Sequence, residues 1–219
     1  MTVGWPHKDA LGQGLLLASL LLGFAYWLNG FGLSAPYPFS VALKASGIVL
    51  LAGYALWRGR SFLAAGLLAG AAGDAFLALE PSQLFFGMAA FATGHLIYVV
   101  IFARRLQAHG FRGRNGVIIA GLLAIFGVLA LIYLAPLAGE MALPVIVYNL
   151  VILLMAITAA LSRTPMIALL GALLFVASDA VLGVVLFAEG PAWLGLIVWA
   201  TYYSAQLCIA LGLSMPDRD

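Results

Sequence analysis

The chain has 219 residues, of which 65% are hydrophobic and only 8% charged, with a mean hydropathy of +1.13, against about 45–50% apolar and about 25% charged in soluble domains. That composition excludes a water-soluble fold and reads as an integral membrane protein. The net charge of +2 is small, and its arginines fall on short connections whose charge membrane topology explains, so no nucleic-acid partner is expected.

A spanning helix needs about 20 mostly apolar residues. The sequence divides into eight such runs, Leu11–Leu28, Pro38–Trp57, Phe62–Leu79, Leu84–Ala103, Val117–Leu134, Leu143–Leu161, Met166–Phe187 and Ala192–Leu213. These long continuous runs lack the alternation of a membrane strand, so the expected fold class is all-α, a polytopic bundle forming one transmembrane domain over residues 1–219. The first run exceeds the ~7–15 residues of a signal-peptide core and is expected to be retained. Cys208, the only cysteine, excludes an intrachain disulfide.

Basic residues alternate along the chain. Lys8 precedes the first span, Arg58 and Arg60 follow the second, Arg104, Arg105, Arg112 and Arg114 the fourth, Arg163 the sixth and Arg218 the eighth. The intervening connections lack Lys and Arg and carry at most one acid each, Glu80, Glu140 or Glu189. The positive-inside rule therefore places both termini in the cytoplasm of a multi-pass protein of the cell (inner) membrane.

Span 1 reads as an anchor, with Trp5, Tyr26 and Trp27 where interfacial aromatics belong. Span 2 carries Lys44 about two turns below the surface, either snorkelling outward or turned into the bundle. Span 3 carries Asp74, the only charge between Leu63 and Leu79. Its position, roughly 9 Å from Glu80 at 1.5 Å per residue, puts it in the outer half of the bilayer. A carboxylate at that depth costs several kcal/mol unless paired or neutralised, which makes it a site candidate. The bland alternative is a packing contact among Ala69, Gly70, Ala71, Ala72 and Gly73, but a Ser or Asn would give that bond without a charge.

Span 4 places His95 and Tyr98 on one face at i,i+3, and the basic loop Arg104–Arg114 after it is expected to lie on anionic headgroups, with His109 at the surface. Span 5 reads as scaffold. Span 6 brings Tyr148 and Asn149, span 7 Ser178 and Asp179, and span 8 Thr201, Tyr202, Tyr203, Ser204 and Gln206, a cluster too polar to face lipid.

Asp179 repeats the setting of Asp74 105 residues later. At that offset Lys44 falls on Asn149, Arg58 on Arg163 and Tyr98 on Tyr203. These coincidences suggest two parallel four-helix repeats, 11–114 and 117–213, related by an axis along the membrane normal. Both aspartates would then face one cavity. Two carboxylates in a low-dielectric cavity share a proton, which sets an acid beside a base.

Gly73-Asp74-x-x-Leu77, Gly94-His95-x-x-Tyr98, Ser178-Asp179-x-x-Leu182 and Tyr202-Tyr203-x-x-Gln206, with a lysine in the second span, resemble the YhhN-type lysoplasmalogenase family from about Lys44 to Leu211. The resemblance implies hydrolysis of the vinyl ether bond of lysoplasmalogens to a fatty aldehyde and a glycerophospho-ethanolamine or -choline, with Asp74 and Asp179 as the catalytic pair. The sequence does not distinguish which aspartate is acid and which is base.

Carbon protonation gives an oxocarbenium ion that water captures, so neither metal nor cofactor is expected. The substrate would be a lysophospholipid drawn from the bilayer among the membrane lipids, with Lys44, His95, Tyr98, Asn149, Tyr202, Tyr203 and Gln206 expected to bind it. Its headgroup would sit near Lys44, Tyr98 and Tyr203. The rival reading from another class is a proton-coupled transporter working the same intramembrane pair. A metallohydrolase built on Asp74, His95 and Asp179 offers a thin ligand set, and a retinal protein on Lys44 would hold its lysine too near the surface.

Overall fold

The computed structural model describes residues 10–33 and 35–215. The protein is all-α, with eight helices long and apolar enough to cross a membrane. They are α1 (Ala10–Trp27), α2 (Phe39–Trp57), α3 (Ser61–Ala78), α4 (Leu84–His109), α5 (Arg114–Leu134), α6 (Ala142–Leu161), α7 (Met166–Phe187) and α8 (Leu194–Ser214). Short 3-10 turns, Leu28–Phe31, Ala135–Leu137 and Gly139–Met141, lie at one end of the bundle. Lys8, Trp5 and Arg218 lie outside the described residues.

Six helices close into a ring, α2 on α3, α3 on α4, α4 on α6, α6 on α7, α7 on α8 and α8 back on α2. Helix α1 packs outside the ring on α2 and α8, and α5 packs outside it on α6 and α7. The outer position of α5 follows from its sequence, which is apolar all round. Leu122, Ile125, Val128, Leu129 and Ile132 are exposed for want of a polar face to hide, as expected of a helix solvated by lipid. Helix α1 is tied on by hydrogen bonds instead. Trp199 Nε1 donates to Gly23 O at 2.8 Å, Trp27 Nε1 to Leu196 O at 3.1 Å and Ser19 Oγ to Gly47 O at 2.6 Å.

The glycines of α3 set how closely its neighbours approach. A Cβ on Gly66 would lie 2.5 Å from the Tyr98 ring, and one on Gly70 would lie 2.4 Å from Gln206 Nε2. Without them, α4 and α8 bring polar side chains onto the α3 backbone, close packing of the kind small residues permit in membranes.

The segment after the fourth span differs from expectation. The helix runs on to His109, so Arg104 and Arg105 are helical and the loop shrinks to 110–113. Arginine is a good helix former, and the helix stops only where Gly110 takes φ +83°. Nor does the loop simply rest on headgroups. Arg112 N donates to Leu161 O at 2.8 Å, Arg112 Nη2 to Thr164 O at 2.6 Å and Arg163 Nε to Phe111 O at 3.1 Å. The orphan carbonyls at the end of α6 need donors, and the two basic loops supply them to each other. All the arginines among the described residues lie at this end of the bundle.

Candidate active site

Asp74 and Asp179 line one cavity of about 190 Å³ in the half of the bundle away from the arginines. It is walled by Tyr26 of α1, Lys44 of α2, Leu77 of α3, Phe91 of α4, Ser178 and Leu182 of α7 and Trp199 and Tyr202 of α8. Lys44 is its only cationic lining residue and sits 5.8 Å from the centroid of the Tyr26 ring. Of the two orientations open to it, the side chain takes the inward one. An apolar slot runs alongside between α4, α5, α6 and α7, lined by residues such as Phe126, Leu134, Ile152 and Leu186, and it shares Leu77, Phe91, Asp179 and Leu182 with the first cavity.

Each carboxylate is held by one tyrosine. Tyr202 donates to Asp74 Oδ2 at 2.7 Å; its oxygen accepts from Gln206 Nε2 at 3.2 Å, and Gln206 Oε1 accepts from Tyr98 at 2.8 Å. That fully buried chain leaves none of its atoms unpaired, which a low-dielectric interior rewards. On the other side Tyr148 donates a short hydrogen bond to Asp179 Oδ2. Its one proton being spent, the 3.1 Å contact with His95 Nε2 must be donated by the histidine. His95 Nε2 itself lies 3.8 Å from Asp179 Oδ2. The imidazole is wedged edge-on against Phe175 at 4.8 Å, and its Nδ1 is buried without a hydrogen-bond partner. A proton on Nδ1 would have no acceptor, so the neutral Nε2–H tautomer is assigned.

The structure brings Lys44, Asp74, Asp179 and Tyr202 to the cavity wall and sets His95, Tyr98 and Gln206 one layer behind it. Asn149 lines the apolar slot and donates to Gly127 O at 3.2 Å. Tyr203 points away from both spaces, bonding Ser19 of α1 at 2.7 Å. Tyr98 is fully buried and bonds Gln206, so neither tyrosine lines the cavity that holds Lys44. Ser178 Oγ bonds Val198 O of α8 at 3.0 Å.

The residue that sequence reasoning passed over is Tyr148. Its signal was a hydroxyl in the otherwise apolar stretch before Asn149, but the repeat offset pairs it with Leu43, so the duplication argument gave no weight to it. Among the described residues no three His, Cys, Asp or Glu side chains gather as a metal would require.

Fold and site together define a helical membrane bundle with two carboxylates on one cavity, each hydrogen-bonded by a tyrosine, beside an apolar slot. Residues 39–213 match the sequence model of the YhhN family, and the chain belongs to that family. It is 32% identical over 232 residues to a protein named lysoplasmalogenase from Mycobacterium tuberculosis, an alignment that takes in all of this chain and 86% of the relative. It is 36% identical over 202 residues to lysoplasmalogenase TMEM86B of Homo sapiens, covering 89% of this chain and 83% of that one. No solved structure matches.

Proposed function

We propose that the protein is a lysoplasmalogenase of a cell membrane, hydrolysing the vinyl ether of a lysoplasmalogen to a fatty aldehyde and a glycerophospho-base by acid–base work of Asp74 and Asp179. The observation that carries this reading is the pair of carboxylates lining one cavity that adjoins an apolar slot. A single-chain lipid has the same two parts. In this reading Lys44 meets the headgroup phosphate, the slot takes the chain, and the linkage between them lies beside the aspartates.

The chemistry needs little more. A vinyl ether reacts when an acid protonates its alkene carbon, and the resulting oxocarbenium ion is stabilised by a nearby carboxylate and captured by water. The hemiacetal then collapses to aldehyde and alcohol. Each tyrosine occupies one oxygen of its aspartate and leaves the other, Oδ1, for the reaction.

The test is to incubate detergent-purified protein with a lysoplasmalogen and with its saturated-ether analogue. Aldehyde from the first and none from the second is expected. Release from neither, with transport across a vesicle membrane instead, would replace the hydrolase with a carrier.

A further inference from the structure

The two carboxylates touch different things, and in the reaction proposed above, on which this inference rests, that difference separates their roles. Asp179 lines both the polar cavity and the apolar slot, whereas Asp74 lines the polar cavity alone. The side chain of Asp179 is 14% exposed and Asp74 only 2%, so the chain-side carboxyl is the more accessible one. In a vinyl ether the carbon that takes the proton is the second of the alkenyl chain. It lies one bond further from the headgroup than the carbon captured by water. The substrate's own order, headgroup, captured carbon, protonated carbon, chain, therefore runs in the same sense as Lys44, Asp74, Asp179, slot.

The hydrogen bonds behind each carboxylate agree with that order. Behind Asp74 stand Tyr202, Gln206 and Tyr98, a chain ending in an amide and a phenol, and Lys44 in the same cavity supplies a countercharge. Behind Asp179 stand Tyr148 and His95. Because Tyr148 donates to Oδ2, the oxygen of Asp179 left to carry a proton is Oδ1.

We propose that Asp179 is the general acid, that Asp74 is the base, and that Tyr148, oriented by His95, is the positioning residue that keeps the acid proton on Asp179 Oδ1. The proton on Oδ1 passes to the alkene carbon as the π pair forms the new C–H bond. Asp74 then takes a proton from water as the water oxygen bonds the oxocarbenium carbon. In the collapse, Asp74 returns its proton to the glycerol oxygen as that C–O bond breaks, and the hemiacetal hydroxyl gives its proton to Asp179. Vinyl ether plus water becomes aldehyde plus alcohol, and both carboxyls regain their starting states.

Azide distinguishes the two roles, since it attacks an oxocarbenium ion without a proton to lose. Purified full-length Asp74→Asn and Asp179→Asn proteins are assayed with a lysoplasmalogen, with and without sodium azide, following aldehyde and the α-azido ether by mass. Azide is expected to raise consumption by Asp74→Asn severalfold, with the azido adduct present, and to leave Asp179→Asn unchanged. Rescue of Asp179→Asn, or of neither variant, overturns the assignment. Wild-type protein in the same assay separates the failures: aldehyde from it with reversed rescue defeats the roles alone, whereas no aldehyde defeats the activity. Tyr148→Phe is expected to lower kcat about tenfold or more at unchanged KM and without azide rescue, proton positioning being a share of the 10²–10⁴ that acid catalysis contributes. His95→Gln, which keeps an N–H for Tyr148, should retain most of the turnover that His95→Leu loses. Full kcat in Tyr148→Phe, or equal loss in both His95 variants, removes the positioning role.

Discussion

The surroundings of Asp74 and Asp179 invite comparison, because sequence context makes them look alike and the structure makes them different. Asp74 lies six residues before Glu80 and Asp179 ten before Glu189, and each accepts one tyrosine hydroxyl. Yet Tyr202 reaches Asp74 from the opposite half of the chain, while Tyr148 reaches Asp179 from the helix just before it. The residue 105 positions before Tyr202 is Ile97, which has no hydroxyl to offer Asp179. A scaffold that gives two carboxylates different partners can divide one reaction between them, and identical partners would leave nothing to tell acid from base.

The largest expected effect breaks the comparison at its centre. Asp74→Asn and Asp179→Asn should each lower turnover on lysoplasmalogen by about 10²–10⁴-fold, the usual contribution of an acid or base, with elution and thermal unfolding near those of the unaltered protein. Near-normal turnover in either variant takes that residue out of the chemistry. Next comes the chain behind Asp74. Gln206→Leu deprives buried Tyr98 of its acceptor, so a stability loss of about 1–3 kcal/mol is expected, read as a fall in Tm, with turnover reduced less than in the aspartate variants. Were Gln206→Leu to abolish turnover at unchanged Tm, Gln206 would itself belong beside the substrate.

Lys44→Met sharpens the difference at the headgroup side. A cation beside a phosphate contributes binding common to ground and transition states, so a severalfold rise in KM with kcat retained is expected. An unchanged KM with a collapsed kcat would instead make Lys44 a working partner of Asp74. The smallest effect is that of Tyr203→Phe. Its hydroxyl meets Ser19 of α1 rather than either cavity, so kinetics should stay as they were, at a stability cost of about 0.5–1.5 kcal/mol. A changed KM would return Tyr203 to the substrate site.

Legibility varied with the kind of signal. Eight apolar runs and alternating arginines yielded the helices almost without tertiary information, since a bilayer demands the same length and internal hydrogen bonding from every span. The fourth helix overran its expected end at Ala103 because hydropathy stops at the hydrocarbon boundary, whereas a helix stops where its backbone does, here at Gly110. Asp74 and Asp179 stood out because a carboxylate in an apolar run has few innocent explanations. Tyr98, Tyr203, Gln206 and Tyr148 were harder. A hydroxyl or amide at membrane depth must find some partner, but the sequence does not say whether that is a ligand, another side chain or a neighbouring backbone.

The sequence by itself determined the class of protein, the number of its spans, the end that carries its arginines and the two carboxylates on which its chemistry is proposed to depend. All of these follow from hydrophobicity and charge read along one dimension. Only the tertiary structure decided that Lys44 turns inward, that Tyr203 turns to Ser19 of α1, and that of the two carboxylates Asp179 but not Asp74 touches both cavities. Those facts depend on how helices distant in the chain are rotated against one another, which is set by close contacts such as Gly66 against Tyr98 and Gly70 against Gln206, and no periodicity within a single span encodes the angle at which its neighbour will lie.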